Sequence, residues 1–167
     1  MSGHATKDET VTMAAKRLIK ELEKFRKEPS TAVASLEPSS DEDLFHLTAR
    51  LRGPRGTAYE GGEWSLSITV PATTYPNSPP AMHFTTPLCH PNVNFQTGEI
   101  CLDLLKTTAW TPAYGLVSAL EAVQQLLANG GEPDSPLNLD LAKLLREGDL
   151  VGAESLIRLY TRMYAMG

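Results

Sequence analysis

The segment CHPNVNFQTGEIC, Cys89 to Cys101, concentrates the reactive side chains of this sequence: two thiols, an imidazole and three carboxamides. Three chemistries draw on such residues. A metal centre could use Cys89, His90 and Cys101, but an adjacent Cys-His is not a paired-ligand spacing, and His46 and His83 fall on predicted strands. A cysteine hydrolase needs a base beside the thiol and a group to orient that base. His90 precedes Pro91, which stiffens it in an extended or turn conformation, and no hydrolase signature surrounds it. The third chemistry is a thiol that carries an acyl group and passes it on. If the donor is already a thioester, the exchange is nearly thermoneutral and needs no strong base. The harder step is attack on the carbonyl by an amine or thiol. That step develops an oxyanion and favours a neutral hydrogen-bond donor nearby. Asn92 is the candidate donor; Cys101, between two apolar stretches and close after a Gly, could be a nucleophile or a packing group, and a buried small hydrophobe is the plain reading of Cys89.

These residues sit in an irregular connection, Pro87 to Thr111, of a length that compact domains tend to reserve for function. Before it, Val11, Ala15, Leu18, Leu22 and Phe25 recur at helical spacing, with Thr10 as the predicted N-cap. Lys16, Arg17, Lys20, Lys24 and Lys27 line the opposite face, which periodicity alone reads as solvated. TAVASL, LFHLTARL, EWSLSITV and AMHFTT, separated by turn-forming stretches such as Ser39–Asp43, predict four antiparallel strands in a meander. After Cys101, Leu116, Leu120, Val123 and Leu127 share a helical face. Thr111 is the predicted cap, Pro112 suits the first turn, and Asn129-Gly130-Gly131 ends the helix. Asp140 and Gly148 bracket a short helix. Asp149 caps a last one with Ala153, Leu156, Tyr160 and Met163 inward. The predicted class is α+β: a helix, a four-stranded antiparallel meander, an irregular active-site segment, then three helices. Residues 1–9 read as a flexible N-terminus and 10–167 as one domain. The net charge of −5 argues against a general polycation for nucleic acid. No apolar run is long enough to span a bilayer, so no direct membrane insertion is expected. Two cysteines make no disulfide framework, and a reducing compartment is the default.

HPN, then GEICLDLL, then AWTPAYGL and EPDSPLN, in this order, resemble the ubiquitin-conjugating enzyme family. GPRGTAYEGGEWSLSITVPATTYPNSPPAMHFTT resembles its second to fourth strands with the YP..PP turn. The resemblance runs from about Ala14 to Met166. It implies that Cys101 accepts ubiquitin as a thioester and that Asn92 stabilises the oxyanion or the active-site loop. It also implies that His90 and Pro91 are structural, with His90 a loop brace rather than a base, and that Asp103 flanks the thiol. It implies no bound cofactor and no metal; ATP is consumed by the upstream activating enzyme. Lys16, Arg17 and Lys20 match the family's basic positions for the activating enzyme, which overlap the site for a RING-type ligase. The two ligase-facing turns supply Asn77, Ser78, Thr111, Pro112 and Ala113.

The sequence departs from the family pattern in three places. Asn77 stands where an aromatic residue is common, which suggests a dedicated ligase. Ser135 stands where many members carry an acidic gate residue that helps lower the pKa of an incoming lysine from about 10.4. Only the preceding Asp134 is acidic, so either Asp134 replaces that residue or lysine is not the preferred acceptor; Leu137 matches the apolar gate position. The stretch from Asn92 to Cys101 is one residue longer than the commonest spacing. Together with LLREGDLVGAESLIRLYTRMYAM, these features resemble the family's peroxisomal members. That resemblance implies transfer to a cysteine or lysine of the recycling import receptor. It also implies a membrane-anchored peroxin that tethers a cytosolic enzyme to the peroxisomal surface. An enzyme for another ubiquitin-like modifier or for a non-peroxisomal pathway is the closer alternative. A non-catalytic ubiquitin-binding variant fits less well, because such variants lack the cysteine.

Overall fold

In the computed structural model, which describes residues 3–130 and 136–167, helix α1 spans Lys7–Lys27. It starts before the predicted Thr10 cap, so Lys7, Asp8 and Glu9 belong to its first turn rather than to a flexible N-terminus. The cap is Thr6: its hydroxyl accepts from the Glu9 N–H at 3.3 Å, and the Glu9 carboxylate accepts from the Thr6 N–H at 2.7 Å. TKDE is thus a capping box, a signal that the apolar stripe alone does not register. Ala14, Leu18 and Leu22 form the buried row of α1, with Val11, Ala15 and Phe25 along its margins.

The strands form the expected meander: β1 (Val33–Ser40), β2 (Asp43–Arg52), β3 (Glu63–Thr69) and β4 (Ala81–Phe84), in the order β1-β2-β3-β4. β1 runs on to Ser40, past Pro38, because it is an edge strand and its pairing is irregular there. The register sets Leu47 opposite Ile68, Ala49 opposite Leu66 and Leu51 opposite Trp64, all buried. Strict alternation therefore turns one apolar face of the sheet toward α1 and α2.

Helix α2 is Leu116–Ala128, and Leu116, Leu120, Val123 and Leu127 are buried as expected. Thr111 does not cap it, and Pro112 lies outside its first turn. The helix follows Gly115, and a distant carboxylate, Glu21, accepts from the Leu116 N–H at 2.7 Å. Asn129 ends α2, followed by Gly130 with φ 73°. Helix α3 (Leu139–Arg146) is capped by the Asn138 side chain, and α4 (Leu150–Tyr164) by Asp149, which accepts from the Gly152 N–H at 2.8 Å. Met163, predicted inward, is exposed. The buried row of α4 follows i, i+4 spacing through Ala153, half-buried Ile157 and Thr161, which turns Met163 outward. Cys89, Leu141 and Ala153 form a second small core that joins α3 and α4 to the start of the irregular segment.

Candidate active site

The irregular segment is anchored before it reaches its reactive residues. The Trp64 indole N–H donates to the Pro87 carbonyl at 3.1 Å, and the Tyr59 hydroxyl donates to the Cys89 carbonyl at 2.6 Å. Cys89 is buried, which pushes its thiol up to about 12, so it stays protonated near neutral pH. Such a thiol is a packing group rather than a nucleophile.

His90, Pro91 and Asn92 then attach three different parts of the site to one another. His90 is fully buried; its Nε2 donates to the Leu126 carbonyl of α2 at 3.0 Å, which leaves Nδ1 to accept the Asn92 N–H at 3.0 Å. The Pro91 carbonyl accepts the N–H groups of Leu137 at 2.7 Å and Asn138 at 3.0 Å. The Asn92 carbonyl accepts the Cys101 N–H at 2.8 Å. Consecutive residues thus bind the helix behind the site, the Leu137–Asn138 segment beside it and the thiol residue. Both nitrogens of His90 are engaged with the main chain, so His90 braces the loop.

Burial lowers the pKa of His90 to about 4, against 6.5 in an unfolded chain. Above about pH 6.5 the group is neutral in both states and contributes no pH dependence. As pH falls from 6.5 toward 4, the unfolded chain takes the proton first, and about 3 kcal/mol of stability is lost across that window. Urea unfolding at several pH values should show this loss, and His90→Gln, which offers a donor and an acceptor but cannot titrate, should flatten it. An unchanged profile in the variant would show that the acid sensitivity arises elsewhere.

Between Asn92 and Cys101 the chain folds back on itself. Val93 bridges Ile100, the Asn94 N–H donates to the Glu99 carbonyl at 2.9 Å, and the Asn94 side chain accepts the N–H groups of Gln96 and Thr97, each at 3.0 Å. Gly98 closes the turn at φ 75°, and a Cβ there would lie 1.8 Å from the Phe84 carbonyl oxygen. Phe95 projects from the turn onto Tyr160 and Tyr164 of α4, with ring centroids 5.1 and 5.8 Å away. The stretch between Asn92 and Cys101 is therefore a turn held against α4.

Cys101 emerges from this turn half-buried, just before one turn of 3-10 helix at Asp103–Leu105. Asn92 is fully buried. Asp103 is exposed and pairs with Lys106 at 2.8 Å; this neighbour holds the lysine above its ordinary pKa. Leu137 is half-buried beside Pro91, while Asp134 and Ser135 lie outside the described residues. The structure thus brings His90, Pro91, Asn92, Cys101 and Leu137 into one hydrogen-bonded constellation. Tyr59, Trp64 and Leu126 also hold it, but nothing local in the sequence ties them to the thiol. Among the described residues, no group of three or more His, Cys, Asp or Glu side chains could hold a metal ion.

The second predicted group lies along α1 and the two turns. Lys16 and Lys20 are exposed. Arg17 is not a solvated cation like them: its Nη2 donates to the carbonyls of Pro112 and Tyr114, each at 2.9 Å. Asn77, Thr111, Pro112 and Ala113 are exposed and Ser78 half-buried; the Trp110 indole N–H, donating to the Pro76 carbonyl at 2.8 Å, ties their two turns together.

A family model described as ubiquitin-conjugating enzyme matches residues 17–154, which include the thiol constellation and all of the second group but Lys16. The chain belongs to the ubiquitin-conjugating enzyme family. Within it, the chain is 47% identical over 150 residues to ubiquitin-conjugating enzyme E2 PEX4 of Gibberella zeae, covering 88% of this chain and 86% of that one. It is 45% identical over 150 residues to protein PEROXIN-4 of Arabidopsis thaliana, covering 90% and 94%. Among solved structures it resembles Pex4p of H. polymorpha, crystallised with the soluble domain of Pex22p. The TM-score is 0.85 and the identity 36%, over 92% of this chain and 99% of that one. The likeness to peroxin members thus extends over nearly the whole conjugating enzyme, not the thiol loop alone. No helix among its described residues is long and apolar enough to cross a membrane.

Proposed function

We propose that this conjugating enzyme carries ubiquitin on Cys101 and delivers it, with a RING-type ligase, to a cysteine or lysine of the peroxisomal import receptor during its recycling. The Cys101 thiolate attacks the carbonyl of the thioester between ubiquitin and the activating enzyme, and the activating enzyme's thiolate leaves. The acceptor amine or thiolate then attacks the new carbonyl, Cys101 leaves as thiolate, and an amine acceptor releases its proton to solvent. Asn92 donates to the oxyanion of that second step. Leu137, Asp134 and Ser135 shape the acceptor's approach, and Asp103 flanks the thiol. Lys16 and Lys20 attract the activating enzyme. Asn77, Ser78 and the Thr111–Ala113 turn meet the ligase. A membrane-anchored peroxin holds the enzyme at the cytosolic face of the peroxisome; the complex of H. polymorpha Pex4p with the soluble domain of Pex22p supports a dedicated partner of this sort.

The observation that carries this reading is the contrast between the two thiols. Cys89 is buried and protonated, whereas Cys101 is partly accessible on a loop organised by His90, Pro91 and Asn92. The PEX4 likeness supports the choice of pathway. Incubated with ATP, ubiquitin-activating enzyme and ubiquitin, the protein should form an adduct that survives non-reducing electrophoresis and collapses with added thiol. No adduct with ubiquitin would overturn the reading. An adduct formed only with another ubiquitin-like modifier and its own activating enzyme would replace it.

A further inference from the structure

Glu21 lies on α1, outside the thiol loop, with its side chain only 14% exposed. A carboxylate so far from water needs donors, and Glu21 has three, from different parts of the chain. Its Oε1 accepts the Leu116 N–H at 2.7 Å, where α2 begins. Its Oε2 accepts the Tyr75 hydroxyl at 2.5 Å and the Arg17 Nε at 3.3 Å. Arg17 passes the connection on to the carbonyls of Pro112 and Tyr114. Trp110, donating to the Pro76 carbonyl, completes the circuit between the two turns. Gly115 makes the approach possible, since a Cβ there would lie 2.1 Å from Glu21 Oε1.

The two turns that carry Asn77 and Thr111–Ala113 are therefore held to α1 through Glu21 and through Arg17, which Glu21 orients. Glu21 presents no surface comparable to theirs, and it does not take part in the hydrogen bonds that hold Cys101. Its two oxygens serve different elements: one fixes the start of α2, the other the Tyr75 turn. An apolar residue could fill the space but could not orient both. A surface ordered in advance spares a partner the cost of ordering it on docking.

We infer that Glu21 is a positioning residue for ligase-stimulated transfer, locking the Tyr75–Ser78 and Trp110–Tyr114 turns into one preformed docking surface. This rests on the reading that a ligase meets those turns. Glu21→Ala should leave charging and ligase-free discharge within about twofold of wild type, because Cys101 and its loop are untouched. With a zinc-loaded RING domain that accelerates wild-type discharge, the concentration giving half-maximal stimulation should rise about tenfold, with the plateau rate retained. Glu21→Gln, which keeps one acceptor oxygen, should recover part of the loss. Tyr75→Phe, which removes a single donor, should cost about threefold.

Hydrogen exchange of the full chain supplies a readout independent of any ligase. Glu21→Ala should speed exchange in both turns while leaving the segment around Asn92 and Cys101 protected. Unchanged exchange in the turns would overturn the inference, as would an unchanged half-maximal concentration. A fall in charging and ligase-free discharge alongside the ligase response would also overturn it, because general destabilisation would then explain the effect. Failure of the wild type to accept ubiquitin would defeat the proposed function instead, and the exchange result would still decide whether Glu21 orders the two turns.

Discussion

Cys101→Ala should abolish the thiol-sensitive ubiquitin adduct outright, while Cys101→Ser should trap a more slowly discharged oxyester. No second thiol can substitute. Cys89 is buried in the small core with Leu141 and Ala153, and burial pushes its pKa to about 12. Only a minute fraction would be thiolate at neutral pH, and that fraction would sit out of reach of a protein-sized donor. Cys89→Ala should therefore charge at close to the wild-type rate. It should lower the melting temperature modestly, because a well-packed small side chain is lost. Non-reducing electrophoresis of the three variants, with thermal melts as a control on folding, separates these outcomes. A folded Cys89→Ala protein that fails to charge would show that the reactive thiol has been misassigned.

Asn92→Ala should charge within a few-fold of wild type yet discharge to free lysine about 10²-fold more slowly. The two steps differ in barrier. Charging exchanges one thioester for another, whereas attack by an amine passes through a developing oxyanion that a carboxamide can stabilise selectively. The structure strengthens this expectation. Two hydrogen bonds that tie Asn92 into the loop, from its N–H to His90 Nδ1 and from the Cys101 N–H to its carbonyl, belong to the main chain and survive truncation to Ala. The buried side chain does carry stability, and its loss should cost about 1–3 kcal/mol. Single-turnover discharge of preformed adduct, with lysine and with cysteine as acceptors, isolates the chemical step. Equal rates for wild type and variant with both acceptors would remove Asn92 from catalysis and leave it a loop residue. The same assay addresses the gate, since Ser135→Asp should favour lysine over cysteine.

Much of this was legible in the sequence because it is local. Strand alternation in LFHLTARL and EWSLSITV depends on the two-residue repeat of a pleated backbone, and the sheet has the predicted order. The stripe of α2 and the Asp149 cap of α4 likewise depend on residues within a turn or two of each other. The motifs around Cys101 pointed to the family, and the family match agrees. The Thr10 cap of α1 failed on a local signal, the Thr6–Glu9 capping box, and other inferences failed where a distant group competes with a near one. Thr111 looked like the cap of α2, but the Leu116 N–H is satisfied by Glu21, far away in the chain, and no local pattern records that. Arg17 resembled its neighbours Lys16 and Lys20 until the Pro112 and Tyr114 carbonyls claimed its guanidinium. Met163 fitted a helical period, but the packing around Ile157 and Thr161 chose the adjacent row. Residue types and short-range spacing determined by themselves which elements form, and the likeness of the motifs around Cys101 to the family singled out the candidate nucleophile. Tertiary structure alone decided which polar groups are consumed inside the molecule, because a hydrogen bond depends on where two atoms meet in space and not on their separation along the chain.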